Sequence, residues 1–496
     1  VIRPPIELTG TAEHFGPAPV AIGPAVRAEL AAICPIDDEL AAVAEASRDW
    51  WPLALHWSLA GEVPRRAAIV CRPGSTAEVA RVLEVCNRGR IPVTAAGGRS
   101  GVCGASVPVF GGAVLDTTAM AGLAGLDETS LVAEVWAGTF GPDLEAALRA
   151  RGYTCGHFPQ SFEIATVGGW VACRGAGQYS TRYGKIEDIV CGLEVVLADG
   201  TVVQTGGAPR GAVGPDLTQL FTGAEGTLGV ITRVWLRVHP VPAAERRAAW
   251  WFESFAAGLD ASRRILRRGA TPAVLRLYDA DEAARSHGGD GQRHLLLVLD
   301  EADPGLLEAT MAIVAEECAA TPGASPADVA LVEAWLAHRN DTSALQALVR
   351  KGFVVDTMEI AGRWDVLPGV FDAARAAIRA VPHAVAATCH ASHSYLDGAC
   401  LYFTFAAAPP PDLVDATYRA LWDAGTAAVL AAGGNLSHHH GVGLNRGRFV
   451  AAALGAGHGI LGAVKSALDP HGILNPGKLG LPSPFGALPA AWTAAP

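Results

Sequence analysis

Three consecutive histidines, His438, His439 and His440, lie in the run Asn435-Leu-Ser-His-His-His-Gly-Val-Gly443, away from both ends of the 496-residue chain. Imidazoles titrate near neutral pH, so such a cluster can take a proton from a substrate hydroxyl or C–H. A second kind of chemistry is carried by glycines. In Ala95-Ala-Gly-Gly-Arg-Ser-Gly101, backbone N–H groups unhindered at Gly97, Gly98 and Gly101 can form an anion-binding nest, with Arg99 adding a charge. Small residues return in Gly156-His-Phe-Pro-Gln-Ser-Phe-Glu-Ile-Ala-Thr-Val-Gly-Gly-Trp170, then in Tyr183-Gly-Lys-Ile-Glu-Asp188 and Gly223-Ala-Glu-Gly-Thr-Leu-Gly-Val-Ile-Thr232. A backbone without bulk at such turns can approach a large flat cofactor closely.

In order and spacing these segments resemble the FAD-binding domain of the vanillyl-alcohol-oxidase, or PCMH, type, over roughly residues 65–245. The resemblance implies FAD held by four stretches. The first is Thr94, Ala95, Ala96, Gly97, Gly98, Arg99, Ser100 and Gly101. The second is Gln160, Ser161, Phe162, Glu163, Ile164, Ala165 and Thr166, with Gly168 and Gly169. The third is Cys173, Arg174, Gly175 and Ala176. The fourth is Glu225, Gly226, Thr227, Leu228, Gly229, Val230 and Ile231. Relatives that bond flavin through the first loop carry a histidine or a nearby cysteine there. Here Arg99 occupies the loop and Cys103 reads as a packing residue, so non-covalent FAD is expected.

The histidine run is similar to that of the alkylglycerone-phosphate-synthase branch. Thr271-Pro-Ala-Val-Leu-Arg-Leu-Tyr-Asp279 looks like the branch's segment with an activity-critical arginine, here Arg276. Asp397-Gly-Ala-Cys-Leu-Tyr-Phe403 looks like the segment with its catalytic tyrosine, here Tyr402. Taken as plain structure, Arg276 would be a strand residue in a surface ion pair, and Tyr402 a core aromatic of an alternating strand. One departure stands out. The branch's second substrate-binding arginine should fall in Ser343-Ala-Leu-Gln346, where there is none; Arg350 and Arg339 lie nearby, and Arg350 is the candidate substrate ligand. Related 2-hydroxy-acid dehydrogenases place a metal through motifs that here would leave His393 and two of the cluster as ligands. No metal is assigned on that basis.

The elements that must position these groups follow from pattern. Short strands are expected at 67–71, 91–94, 113–116, 131–136, 192–197 and 230–238, alternating with helices. Ser75 and Glu78 are spaced as a capping box. Past His239-Pro-Val-Pro242 come a helix at 255–268 and strands at 274–278, 295–299, 354–359 and 399–405. The fold class is α+β in two domains. An FAD-binding domain takes 1–245 and a separate substrate, or cap, domain 246–439; 440–496 returns to the first. The site falls between the lobes.

A net charge of −11 argues against nucleic acid as a partner. Ten cysteines without a CxxC pair read as buried thiols of a reducing compartment. No secretory signal or membrane span is visible, so a cytoplasmic location is expected. The expected activity is FAD-dependent oxidation of a hydroxyl-bearing small molecule, with hydride passing to flavin N5. A histidine of the cluster would take the hydroxyl proton, Tyr402 would steady the oxyanion, and Arg276 would hold an anionic group. The alternatives are the branch's redox-neutral exchange of acyl for alkyl through an N5 adduct, and a metal-assisted 2-hydroxy-acid dehydrogenase. A homodimer is implied by resemblance only, and the electron acceptor is not specified.

Overall fold

The computed structural model describes residues 10–341 and 343–493. Three sheets organise the chain. Val93–Ala96, Ala113–Asp116 and Ile69–Cys71 run parallel, with Ile36–Asp37 antiparallel at one edge. Helix Thr76–Gly89 covers this sheet through Val79, Val82, Leu83 and Cys86. Ser75 caps it, accepting the Glu78 N–H at 3.3 Å. The expected reciprocal contact lands one residue early, because Glu78 accepts from Gly74 at 2.7 Å.

A five-stranded antiparallel sheet follows, built on Val132–Trp136, Val190–Val196 and Val230–Arg237. Helices Gly141–Arg149 and Val167–Cys173 close its core. The third sheet has seven antiparallel strands and begins at Ala244–Phe252, two residues ahead of the boundary read from the sequence. Val274–Tyr278, His294–Ala302, Val354–Arg363, Ala384–Ser394 and Gly398–Ala407 complete its centre.

One face of this sheet is apolar apart from buried Asp356, which accepts from Tyr418 and Trp422 of a covering helix. Leu275, Leu277, Met358, Ile360, Cys389, Ala391, Leu401 and Phe403 enter one core with helices Phe255–Arg267, Leu367–Arg379 and Val414–Ala431. Each aliphatic side chain so buried contributes about 1.5–3 kcal/mol. Trp51, Leu53, Phe110 and Trp492 join the same core, so both ends of the chain help seat the third sheet. The C-terminal segment also completes the parallel sheet. Val93 donates to the Ile473 carbonyl at 2.8 Å, and Asn475 donates back to Val93 at 2.8 Å. No single helix among the described residues is long and apolar enough to cross a membrane.

Candidate active site

A cavity of about 670 Å³ lies between the flavin-type loops and the free face of the third sheet. Its first wall is backbone. The loop at Gly97 and Gly98 crosses 164–166 so closely that a Cβ at Gly97 would lie 2.2 Å from Thr166 Oγ1, and one at Gly98 2.0 Å from the Ile164 carbonyl. Gly175 and Gly226 serve differently. Both line the cavity, and a Cβ there would touch protein at 3.4 and 3.5 Å without a clash, while Gly226 sits at φ 72°, a conformation that favours glycine. This cradle fits a flat ligand with a phosphate-bearing tail, and the cavity volume suits a cofactor.

The second wall is made of side chains, and strand alternation explains it. Because Leu275, Leu277, Met358, Leu401 and Phe403 face the helices, Arg276, Thr357 and Tyr402 must face the cavity. Register then brings distant residues together: His390 and Glu359 both sit opposite Tyr402. A bulge between Ser392 and Ser394 puts His393 at φ 51° and turns it to the same side.

The histidine run is held by two buried carboxylates. Glu359 Oε1 accepts the N–H groups of His438, His439 and His440 at 3.2, 2.9 and 2.7 Å, and the Ser437 hydroxyl at 2.6 Å. Its other oxygen accepts from Arg446, which is fully buried. Burial by itself would raise the Glu359 pKa, but the Arg446 charge, His440 and the hydrogen bonds from Arg446 and Ser437 together outweigh it and hold it far below the usual carboxylate range. Glu225 takes the next stretch, accepting from Val442 at 2.5 Å and Gly443 at 2.8 Å. No arginine pairs with Glu225 among the described residues, and burial leaves its pKa raised despite these N–H donors. The flanking glycines are required by the same packing: a Cβ at Gly441 would meet Glu225 Oε1 at 2.4 Å.

Within the cluster the three rings differ. His439 and His440 line the cavity; His438 does not. His438 bonds His439 through the two Nδ1 atoms at 2.9 Å, and Tyr395 through Nε2 at 3.0 Å. Its carbonyl accepts Lys185 Nζ at 2.6 Å. Tyr395 lies 3.4 Å from Ser180 Oγ, which is 2.7 Å from His393 Nδ1. A hydrogen-bonded arc therefore joins His439 to His393 behind the cavity wall. Burial pushes all three cluster histidines below their ordinary value of 6.5, most weakly at His440, where Glu359 acts upward. The expectation of titration near neutrality is corrected accordingly: desolvation disfavours the charged form, so the rings are neutral proton acceptors at pH 7.

Tyr402 donates to Thr357 Oγ1 at 3.0 Å and stacks on His390, centroids 4.8 Å apart. Burial lifts its phenol well above the ordinary 10. Arg276 donates from Nε to the Tyr278 hydroxyl at 2.7 Å. The plain-structure alternatives for both residues give way, since each lines the cavity.

Of the residues expected at the flavin, 95–101, Gln160, Ser161, 164–166, Gly168, Gly169, Cys173, Gly175, Ala176, Glu225, Gly226 and 229–231 line the cavity. Thr94, Phe162, Glu163, Arg174, Thr227 and Leu228 do not. Thr94 is buried in its strand, and Leu228 belongs to the five-stranded core. Arg174 turns away to Glu187 at 3.3 Å, and Thr227 caps its own turn at the Ala224 carbonyl. Cys103 is buried outside the lining. Arg350 also lies outside it: its helix, Ser343–Arg350, presents Leu345 and Leu348 instead. Among the described residues the group best placed for a metal ion is Cys400, His438 and His439, with ligand atoms within 4.8 Å of one another; His393 is not in it. Sequence reasoning missed Glu359, Tyr395, Ser180 and Lys185. Lys185 stood inside a motif already singled out, and Glu359 ended the stretch Asp356-Thr-Met-Glu, so position offered a signal although role did not.

A glycine cradle facing a side-chain-lined sheet suits a flavin, and comparison with known proteins places the chain among flavoproteins. Residues 67–206 match the FAD binding domain, and 241–479 match the C-terminal domain of FAD linked oxidases. An FAD-linked oxidoreductase of Escherichia coli K12, YgcU, is 34% identical over 84% of this chain and 89% of its own. Alkyldihydroxyacetonephosphate synthase of Caenorhabditis elegans is 30% identical over 83% of this chain and 76% of its own. A solved alkyldihydroxyacetonephosphate synthase superposes with a TM-score of 0.78 at 24% identity, covering 96% of this chain and 88% of that one, a likeness of fold. The chain belongs to the FAD-linked oxidoreductase family, and its cofactor is FAD.

Proposed function

We propose that the protein oxidises a hydroxyl-bearing small molecule, with His439 as the proton acceptor. The observation that carries this reading is the convergence of His439, His440, Tyr402 and Arg276 on the cavity that the flavin loops line. The loops at 95–101, 160–169 and 225–231 would hold FAD non-covalently, and the bound flavin would supply the two-electron oxidising power for the substrate C–H. The hydroxyl loses its proton to the neutral imidazole of His439, and a carbonyl remains. Tyr402, neutral at pH 7, donates to the developing oxyanion in place of Thr357. Arg276 holds an anionic group of the substrate. His438 touches no cavity surface and acts as a positioning residue, fixing the His439 tautomer through the Nδ1 contact. Residues 1–245, 246–439 and 440–496 serve as the flavin, substrate and closing segments, with strand Ala244–Phe252 spanning the first boundary.

A second reading is favoured by the relatives named as synthases: redox-neutral exchange of an acyl for an alkyl group, using the same residues. Anaerobic flavin absorbance separates the two. Bleaching by an alcohol or hydroxy acid supports oxidation. Bleaching by an acyl-glycerone phosphate, reversed by a fatty alcohol with release of an ether, overturns it.

A further inference from the structure

A carboxylate–imidazole pair stands at the cavity apart from the histidine run, and the scheme above leaves it unused. Helix Ala280–His287 is clamped at its N-cap to strand Ala384–Ser394. Asp279 accepts the Glu282 N–H at 2.7 Å with one oxygen and the Cys389 N–H at 2.8 Å with the other. Its own N–H donates to the Cys389 carbonyl at 2.9 Å. The clamp sets Glu282 beside His390, with Oε1 2.9 Å from Nδ1. Both residues line the cavity. Asp279 already makes two hydrogen bonds across this join, so helix and strand need no further tie.

Register fixes what His390 can offer. It lies opposite Tyr278 on one neighbouring strand and opposite Tyr402 on the other. Tyr402 stacks on the imidazole at 4.8 Å, and Tyr278 meets it at 5.5 Å. Burial pushes the His390 pKa below its ordinary 6.5 although Glu282 acts upward, so the ring is neutral. Nδ1 carries the hydrogen, because the Glu282 carboxylate accepts there, and the lone pair falls to Nε2. Nε2 has no partner among the described residues and opens on the cavity instead.

Such a nitrogen accepts from an O–H or N–H donor. A carboxylate or phosphate oxygen would meet it lone pair to lone pair, with the Glu282 charge behind. An ammonium would be repelled by Arg276 in the same lining. A neutral hydroxyl meets neither obstacle. Tyr402 also stacks with His439 at 6.0 Å, so both imidazoles lie against the ring that faces the reacting group.

We infer that His390, oriented by Glu282, binds a second hydroxyl of the substrate, so that the enzyme takes a polyhydroxy compound rather than a simple alcohol or monohydroxy acid. The inference rests on the cavity being the substrate chamber proposed above, and narrows its substrate class. His390 is then a substrate-binding residue and Glu282 a positioning residue.

Anaerobic calorimetric titration of the holoenzyme with matched pairs of compounds tests it: glycerate with lactate, threonate with 2-hydroxybutanoate, and glycerol with propanol. The polyhydroxy member of at least one pair should bind roughly tenfold tighter than its partner. His390→Phe keeps an aromatic ring between the tyrosines and removes the acceptor. It should bring that ratio close to one while leaving the monohydroxy member's affinity nearly unchanged. His390→Gln, which keeps an acceptor oxygen, should recover part of the ratio. FAD content confirms that each variant is folded. Equal affinity within every pair for the wild type, no binding of any polyhydroxy member, or an unchanged ratio in His390→Phe overturns the inference. So does a loss in His390→Phe shared equally by both members of a pair, which would assign the Glu282–His390 contact to structure alone. These titrations read binding and not turnover. Preference for a polyhydroxy compound that leaves the flavin unbleached would keep the hydroxyl site and remove the oxidation reading.

Discussion

The two walls of the cavity are made differently. The flavin wall is largely backbone: glycines whose missing Cβ atoms let loops cross at 97–98, with Gly175 and Gly226 also in the lining. The opposite wall is side chains, drawn from strands around 276, 359, 390 and 402 that meet only through sheet register. Backbone requirements are local and survive as short motifs. Convergence of side chains is non-local and leaves no motif of its own. The histidine loop bridges the walls, held at one end by Glu359 and at the other by Glu225.

Those two anchors offer the sharpest contrast. Glu359→Gln strands the fully buried Arg446, a loss of about 3–5 kcal/mol. Glu225→Gln strands no buried cation, but its NH2 replaces one accepting oxygen and faces a buried N–H, which should cost about 1–3 kcal/mol. Thermal unfolding with flavin content measures both, and equal losses would show that the charge of Glu359 is not what sets the loop. On the flavin wall, Gly98→Ala drives a Cβ to within 2.0 Å of the Ile164 carbonyl. That variant should purify without FAD, whereas His439→Gln should keep FAD and lose about 10²–10⁴-fold in anaerobic reduction rate. If both variants lose flavin, the division between walls fails.

Tyr395→Phe removes one hydrogen bond from His438 and should slow reduction by about tenfold at unchanged flavin content. The smallest effect concerns pH. In the proposed scheme the base is the neutral imidazole of His439, and burial pushes its pKa below 6.5. Rate should therefore stay level as pH falls through 6.5 and decline only below it. An inflection at or above 6.5 in the pH profile of flavin bleaching would point to another base.

Much of the fold was legible beforehand. Helix 255–268, the strand at 274–278 and that at 399–405 reappear nearly unchanged, because each has a clean apolar period between turn residues. Arg276 and Tyr402 were found through resemblance, and alternation then turned them to the cavity. Arg350, suggested by spacing along the chain, lies outside the cavity lining, whereas Arg339, at the end of the preceding helix, is part of it. Nothing near Tyr395 or Ser180 advertised an arc of hydrogen bonds, since its members come from three separate segments.

By itself the sequence determined the cofactor, the two-domain α+β plan and the glycine loops that line the cavity, because glycine turns and apolar periods are properties of neighbouring residues. Only the tertiary structure decided that His439 and His440 face the cavity while His438 stands behind them, that burial pushes their pKa values down, and that Arg339 lines the cavity along with Arg276. Those outcomes depend on burial and on strand register, which arise when distant segments pack and desolvate one another.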